Sequence, residues 1–199
     1  ILYNDAILQK YFATDGAKAS SVEQINSFSK LREVVEDMTA KKDLLGIDGV
    51  FACTSLKPGE DWRWQTHLAN IPISYEWIRG GIDLTSDATR EISFSYHENF
   101  KNIFDLYLQN STVDSKLLGT KQVMDSMAEF ALGKCAMVQN GNWAWNDIKG
   151  IEGNTVKEED VHFLPIYTGM EGEETQGLCI GTENFFCINA KASEADQKL

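Results

Sequence analysis

Residues 133–148 read Gly-Lys-Cys-Ala-Met-Val-Gln-Asn-Gly-Asn-Trp-Ala-Trp-Asn-Asp-Ile, and this stretch decides the fold that the sequence predicts. The apolar run 135–138 is typical of a short buried strand. The Asn-Gly-Asn that follows favours a turn, in which Gly141 can adopt a positive φ at little cost. Two tryptophans come next and lead into a predicted helix. The stretch therefore predicts a strand, a turn and a helix that hold a broad ring, Trp143, at the edge of a cleft.

Strands and helices alternate on both sides of this stretch. Further strands are predicted at 1–3, 50–54, 161–167 and 185–189, and helices at 4–12, 22–41, from Asp61, from Pro72, at 95–109 and at 120–132. Ser20 or Ser21 is the expected N-cap of the second helix. Residues 168–177 are predicted to form a mobile acidic loop. The alternation predicts an α/β fold, rich in helix, around a short and mostly parallel central sheet.

Composition indicates one ordinary folded domain. The chain has 199 residues, of which 43% are hydrophobic and 24% charged. Its net charge of −12 argues against binding to nucleic acid, which needs clustered Lys and Arg, and against docking on anionic lipid. No apolar run approaches the ~20 residues of a membrane span. These features leave small-molecule ligands and protein partners as the classes to consider.

Cysteine and histidine spacing predicts no metal site and no cofactor. Cys53, Cys135, Cys179 and Cys187 form no CxxC pair, and each lies in an apolar, strand-like run. Buried free thiols are expected, with disulfides as the alternative that an even number of cysteines allows. His97 and His162 lack partners at metal spacing. His67 is predicted to be a packed or hydrogen-bonded helix residue rather than a ligand contact.

Three segments carry aromatic and polar side chains near predicted strand ends: Asp61-Trp62-Arg63-Trp64, Trp143-Ala144-Trp145 and Gly181-Thr182-Glu183-Asn184. In open α/β sheets, loops beyond the strand ends converge on ligands. Sugars need apolar plates for their C–H faces and charged or amide partners for their hydroxyls. The segments therefore predict a carbohydrate site, with Trp143, Trp62 and Trp64 as plates and Asp61, Arg63, Glu183 and Asn184 as polar partners.

Structural alternatives stay open for several of these side chains. Trp145 is predicted to pack in the core, because a helix directs it away from Trp143. One of Trp62 and Trp64 is also expected in the core, and spacing does not choose between them. Glu183 fits a solvated loop carboxylate as well as it fits a ligand contact.

Residues 134–148 contain the elements Lys-x-Ala-Met, Asn-Gly and Trp-Ala-Trp. Together these elements resemble the tryptophan motif of extracellular solute-binding proteins for sugars, the family of the maltose-binding protein. Residues 1–5, Ile-Leu-Tyr-Asn-Asp, are similar to the family's hinge strand, and residues 177–189 to its second hinge crossing. Residues 21–31 resemble a further family segment but lack its usual proline and tryptophan.

The resemblance implies a periplasmic-binding-protein-like fold, in which residues 1–199 form the second lobe of a two-lobed protein. Residues 1–5 and 184–199 would then lie at the hinge crossings to the other lobe. The implied role is non-catalytic: a monomer outside the cell, anchored as a lipoprotein, would capture an oligosaccharide and deliver it to the permease subunits of an ABC transporter. Trp143 falls on the family's sugar-stacking tryptophan, residues 61–64 on a second aromatic contact, and Glu183 and Asn184 near the second hinge.

Two other classes of protein compete with this interpretation. A carbohydrate-active hydrolase would also have an aromatic cleft, with a carboxylate pair about 5–9 Å apart. Asp61 and Glu183 are the candidates for that pair. A structural or protein-interaction domain would instead bury all of its tryptophans in the core.

Overall fold

The computed structural model describes residues 1–181 and 187–198. Its helices are α1 (Asp5–Phe12), α2 (Phe28–Ala40), α3 (Lys42–Leu45), a π-helix (Arg63–Ala69), α4 (Asn70–Arg79), α5 (His97–Gln109), α6 (Val123–Ala131), α7 (Ala144–Lys149) and α8 (Glu194–Gln197). Its strands are β1 (Leu2–Asn4), β2 (Gly49–Phe51), β3 (Cys135–Val138) and β4 (Val161–Phe163). No helix in these ranges is both long and apolar enough to cross a membrane.

The four strands form one mixed sheet in the order β2-β3-β1-β4. Only β2 and β3 run parallel, and β1 lies antiparallel to both β3 and β4. Helices packed around a small mixed sheet agree with the predicted α/β class and its richness in helix, whereas the prediction of a mostly parallel sheet was wrong. The sequence of a strand of three or four residues does not indicate whether the strand runs parallel or antiparallel to its neighbours. That depends on the end of the sheet from which the connecting segment enters the next strand.

The sheet separates two apolar clusters. The larger one includes buried residues of α1, α2 and α5 together with Tyr3 and Met137 from the sheet. The smaller one joins Phe130 of α6 and Ile148 of α7 to Leu2 on the opposite face of β1. Neighbouring residues of a strand point to opposite faces, so even a three-residue strand contributes to both clusters.

Helix α2 begins later than the sequence predicts. Residues Val22–Gln24 form a separate 3₁₀ turn, and α2 is capped by Ser27, whose hydroxyl accepts a hydrogen bond from the Lys30 amide. The proposed N-caps Ser20 and Ser21 were therefore wrong. Ser20 instead pairs with the side chain of Gln24, which closes the turn locally.

The predicted mobile loop 168–177 is held to the start of α2 by Glu173. The Glu173 side chain is 3% exposed, and its Oε1 accepts a hydrogen bond of 2.6 Å from the Phe28 amide. Its Oε2 accepts from the amides of Thr168, Gly169 and Met170. A carboxylate at a helix N-terminus satisfies otherwise unpaired N–H groups and suits the helix dipole.

The cysteines only partly match the expectation. Cys53 and Cys135 are buried free thiols as predicted, whereas Cys179 and Cys187 are free but exposed. Residues 187–189 are not in a strand, and the rest of the predicted strand 185–189 lies outside the described residues.

Candidate functional site

The π-helix and α4 follow each other without a break, where the sequence predicts two separate helices. Pro72 lies in the first turn of α4, directly after the π-helix ends at Ala69. Proline has no N–H to donate, and a change of hydrogen-bonding register at this point accommodates it. π-helical turns are frequent at functional sites.

Two buried amides at the end of β3 hold the π-helix in place. Asn140 Oδ1 accepts a hydrogen bond of 3.1 Å from Arg63 Nη2 and one of 3.0 Å from the Gly141 amide. Gln139 Nε2 lies 3.1 Å from His67 Nδ1. The predicted segments 61–64 and 143–145 are thus brought together, since the first leads into the π-helix and the second follows the turn after β3.

Trp62, His67 and Trp143 form an aromatic cluster at this junction. The Trp62 ring centroid lies 6.1 Å from that of Trp143 and 4.9 Å from that of His67, which meets it edge-on. The His67 and Trp143 centroids are 5.9 Å apart. Trp143 remains 43% exposed, so it is not a core residue. The cluster therefore presents an indole to solvent beside a second, partly covered indole.

Gly141 is needed for a different reason from the one the sequence suggested. It is not among the glycines with positive φ. A Cβ at this position would lie 2.3 Å from Cη2 and Cζ3 of Trp143. The Trp143 ring therefore lies directly on the Gly141 backbone, which orients the indole.

We expect Gly141→Ala to move the Trp143 ring without unfolding the chain. The added methyl group occupies the place of the ring, and an indole that is 43% exposed can rotate outward at a cost of about 1 kcal/mol or less. Near-ultraviolet circular dichroism and tryptophan emission would report the change. Gly150→Ala is the matched control, because its Cβ would meet backbone oxygens at an ordinary 3.6 Å. Spectra identical to wild type would contradict the proposed packing.

Arg63 lies beneath the cluster. It is 4% exposed, and its guanidinium carbon is 3.9 Å from the Trp62 ring centroid. Burial lowers the pKa of Arg63 to about 10, although the carboxylates of Glu60 and Asp147 act to raise it. Its Nε and Nη1 have no hydrogen-bond partner among the described residues. Arg63, predicted as a polar partner for a ligand, is therefore a buried cation that supports Trp62 and retains unused hydrogen-bond donors.

The remaining predicted site residues divide between core and surface. Trp64 is the core member of its pair: it is buried, packs on Phe104 and donates from Nε1 to the Ser55 carbonyl over 3.0 Å. Asp61 is partly exposed and accepts from Gln65. Trp145 packs on the smaller apolar cluster, as predicted. Glu183 and Asn184 lie outside the described residues.

His67 is a packed, hydrogen-bonded helix residue, as predicted, but the sequence did not place it beside Trp62 and Trp143. Burial lowers the pKa of His67 to about 4, and the charge of Arg63 adds to the effect. The imidazole is therefore neutral at physiological pH. Its spacing from Arg63, four residues along one helix, was the available signal, since such residues share a helix face.

We expect the free energy of unfolding to decrease as the pH falls from 6.5 towards about 4. In this window the unfolded chain protonates His67 while the folded chain keeps it neutral, so the unfolded state binds more protons and gains stability. Urea denaturation at neutral pH and within the window would measure the decrease. His67→Gln should flatten it, whereas His97→Gln, at an exposed position, should not. If the free energy of unfolding decreases equally with pH in wild type and in His67→Gln, the decrease does not come from His67.

Two surface grooves lie elsewhere on the chain. One of about 510 Å³ is lined by residues including Asp48, Asp105 and Ser111, and one of about 340 Å³ by residues including Trp64, Ile92 and Phe94. Neither groove is lined by Trp62 or Trp143. The aromatic cluster therefore lies outside both grooves.

No family model, no curated protein and no solved structure matches this chain. Within residues 1–181 and 187–198, no group of three or more His, Cys, Asp or Glu side chains is placed to hold a metal ion. The proposed function therefore rests on the geometry of the aromatic cluster.

Proposed function

We propose that this chain binds a sugar or oligosaccharide through the aromatic cluster. The observation that carries the proposal is the exposed Trp143 ring, held on Gly141 beside Trp62. A partly exposed indole with a fixed orientation offers a broad apolar face and has few rotors to freeze on binding. The C–H face of a pyranose matches such a plate.

In this proposal the chain acts as one lobe of a two-lobed, periplasmic-binding-protein-like solute-binding protein. It works outside the cell as a monomer anchored as a lipoprotein, and delivers its ligand to the permease subunits of an ABC transporter. The second lobe would close over the cluster and complete the contacts, as in the hinge closure described for periplasmic binding proteins. An indole that remains 43% exposed on this chain is consistent with that division of the site.

A titration of the chain with a panel of oligosaccharides tests the proposal. Tryptophan emission should change saturably with at least one sugar, and calorimetry should give weak binding, roughly millimolar, or about −4 kcal/mol. Trp77→Phe, which removes an indole outside the cluster, should leave the response intact. A panel that produces neither heat nor an emission change would refute sugar binding.

Sugar release distinguishes the hydrolase alternative. If the chain were a glycosidase, reducing ends would accumulate during the titration, and Glu183→Gln would stop their release. Binding without release of reducing ends favours the transport role.

A further inference from the structure

Tyr107, Gln139 and His67 form a chain of hydrogen bonds from the core to the aromatic cluster. The Tyr107 hydroxyl donates to Gln139 Oε1 over 2.7 Å, and Gln139 Nε2 lies 3.1 Å from His67 Nδ1. Tyr107 and Gln139 are both buried, and the Tyr107 ring stacks on Phe51 with centroids 4.0 Å apart. Packing therefore holds Tyr107 and Gln139 in position independently of His67.

The direction of these hydrogen bonds determines which nitrogen of His67 carries the proton. Because Gln139 uses its carbonyl oxygen to accept from Tyr107, its amide nitrogen faces His67. An amide nitrogen can only donate, so His67 Nδ1 must accept. A neutral imidazole that accepts at Nδ1 carries its proton on Nε2. His67 Nε2 has no hydrogen-bond partner among the described residues, which leaves that N–H available.

His67 also lies where a ligand on Trp143 would reach it. Its ring contacts both Trp62 and Trp143, and the residue is only partly buried. An N–H at the edge of a stacking platform can bind an oxygen on the rim of a stacked sugar ring. A donor whose orientation is already fixed loses little entropy when it binds.

We propose that His67 is a ligand-binding residue, held as a donor by Tyr107 and Gln139. Its Nε2–H donates to a hydroxyl or ring oxygen of a sugar whose C–H face lies on Trp143. The inference rests on the proposed function for its ligand, whereas the proton position at His67 can be tested without one. The ligand is thereby specified as a sugar with an oxygen acceptor at the edge of its stacked face.

Long-range ¹H–¹⁵N NMR on the unliganded chain tests the proton position. The wild type at neutral pH should show His67 with the proton on Nε2. Gln139→Glu should move the proton to Nδ1 or give the imidazolium, because a carboxylate can only accept and then requires a donor from Nδ1. A wild-type imidazole protonated on Nδ1 would overturn the inference, since Gln139 would then be turned the other way.

Binding of the best sugar from the oligosaccharide panel tests the ligand contact. His67→Phe keeps a ring but removes the donor, and should weaken binding by roughly 3- to 10-fold, the usual value of one neutral hydrogen bond. His67→Gln, whose amide can replace the Nε2 donor, should recover part of the loss. Equal binding by wild type and His67→Phe, with binding lost in Trp143→Ala, would overturn this inference and leave sugar binding intact. No sugar binding by wild type would overturn both.

Discussion

Glu173→Ala is expected to lower the free energy of unfolding by about 3–6 kcal/mol, because it leaves four backbone N–H groups without an acceptor. One of these groups is the amide of Phe28 at the start of α2. The other three are the amides of Thr168, Gly169 and Met170, which lie in the same loop as Glu173. The hydrogen bonds of Phe28, Thr168 and Met170 are buried and that of Gly169 is partly buried. Each buried, unpaired N–H costs about 1–3 kcal/mol, with less than full additivity. Equilibrium denaturation by urea, followed by far-ultraviolet circular dichroism, would measure the loss.

Glu174→Ala is the matched control for this prediction. Glu174 is the next residue, carries the same charge and is exposed, so its removal should change stability by about 0.5 kcal/mol or less. Comparing the two variants separates the hydrogen bonds of Glu173 from a general effect of net charge. A loss of less than about 1 kcal/mol in Glu173→Ala would show that water replaces the carboxylate at these amides.

Trp143→Ala is expected to reduce sugar affinity by roughly tenfold or more while leaving the fold intact, because an aromatic anchor at the centre of a site carries much of its binding energy. At roughly millimolar wild-type affinity, this places binding beyond the range of calorimetry. The ring is 43% exposed, so little core contact is lost. Calorimetry and emission titration with the same sugar would measure the change.

Trp143→Phe provides the graded comparison for that result. A phenyl ring is a smaller plate in the same position, so its affinity should fall between those of wild type and Trp143→Ala. Trp77→Phe should bind as wild type does. If Trp143→Ala retains wild-type affinity, the sugar does not stack on Trp143, and the site must be sought elsewhere on the chain.

Local sequence patterns predicted the parts of the fold that depend on near neighbours along the chain. The apolar run and following turn gave β3 and then α7, with Trp143 exposed and Trp145 turned towards the core. Helical spacing identified the buried positions of α2, even though the helix begins later than predicted. These features follow from the hydrophobic periodicity of a single helix or strand, which is visible within about a dozen residues.

Other features depended on partners that the pattern could not specify. Spacing could not choose between Trp62 and Trp64, and the choice follows from the burial of Trp64 against Phe104 and Ser55. Gly141 was expected to supply a positive φ, whereas it makes room for an indole. An apparently mobile acidic loop contains the best-bonded carboxylate among the described residues, that of Glu173.

By itself the sequence determined the approximate positions of most helices and of β1 to β4, the apolar face of α2, and that Trp143 would remain at the surface. Tertiary structure alone decided the direction of β1, the hydrogen bond from the first amide of α2 to Glu173 and the support of the aromatic cluster by Asn140 and Gln139. The pairs involved are 145, 77 and 72 residues apart along the chain. No local repeat encodes such contacts, because a buried polar group acquires its partner only when distant elements pack together.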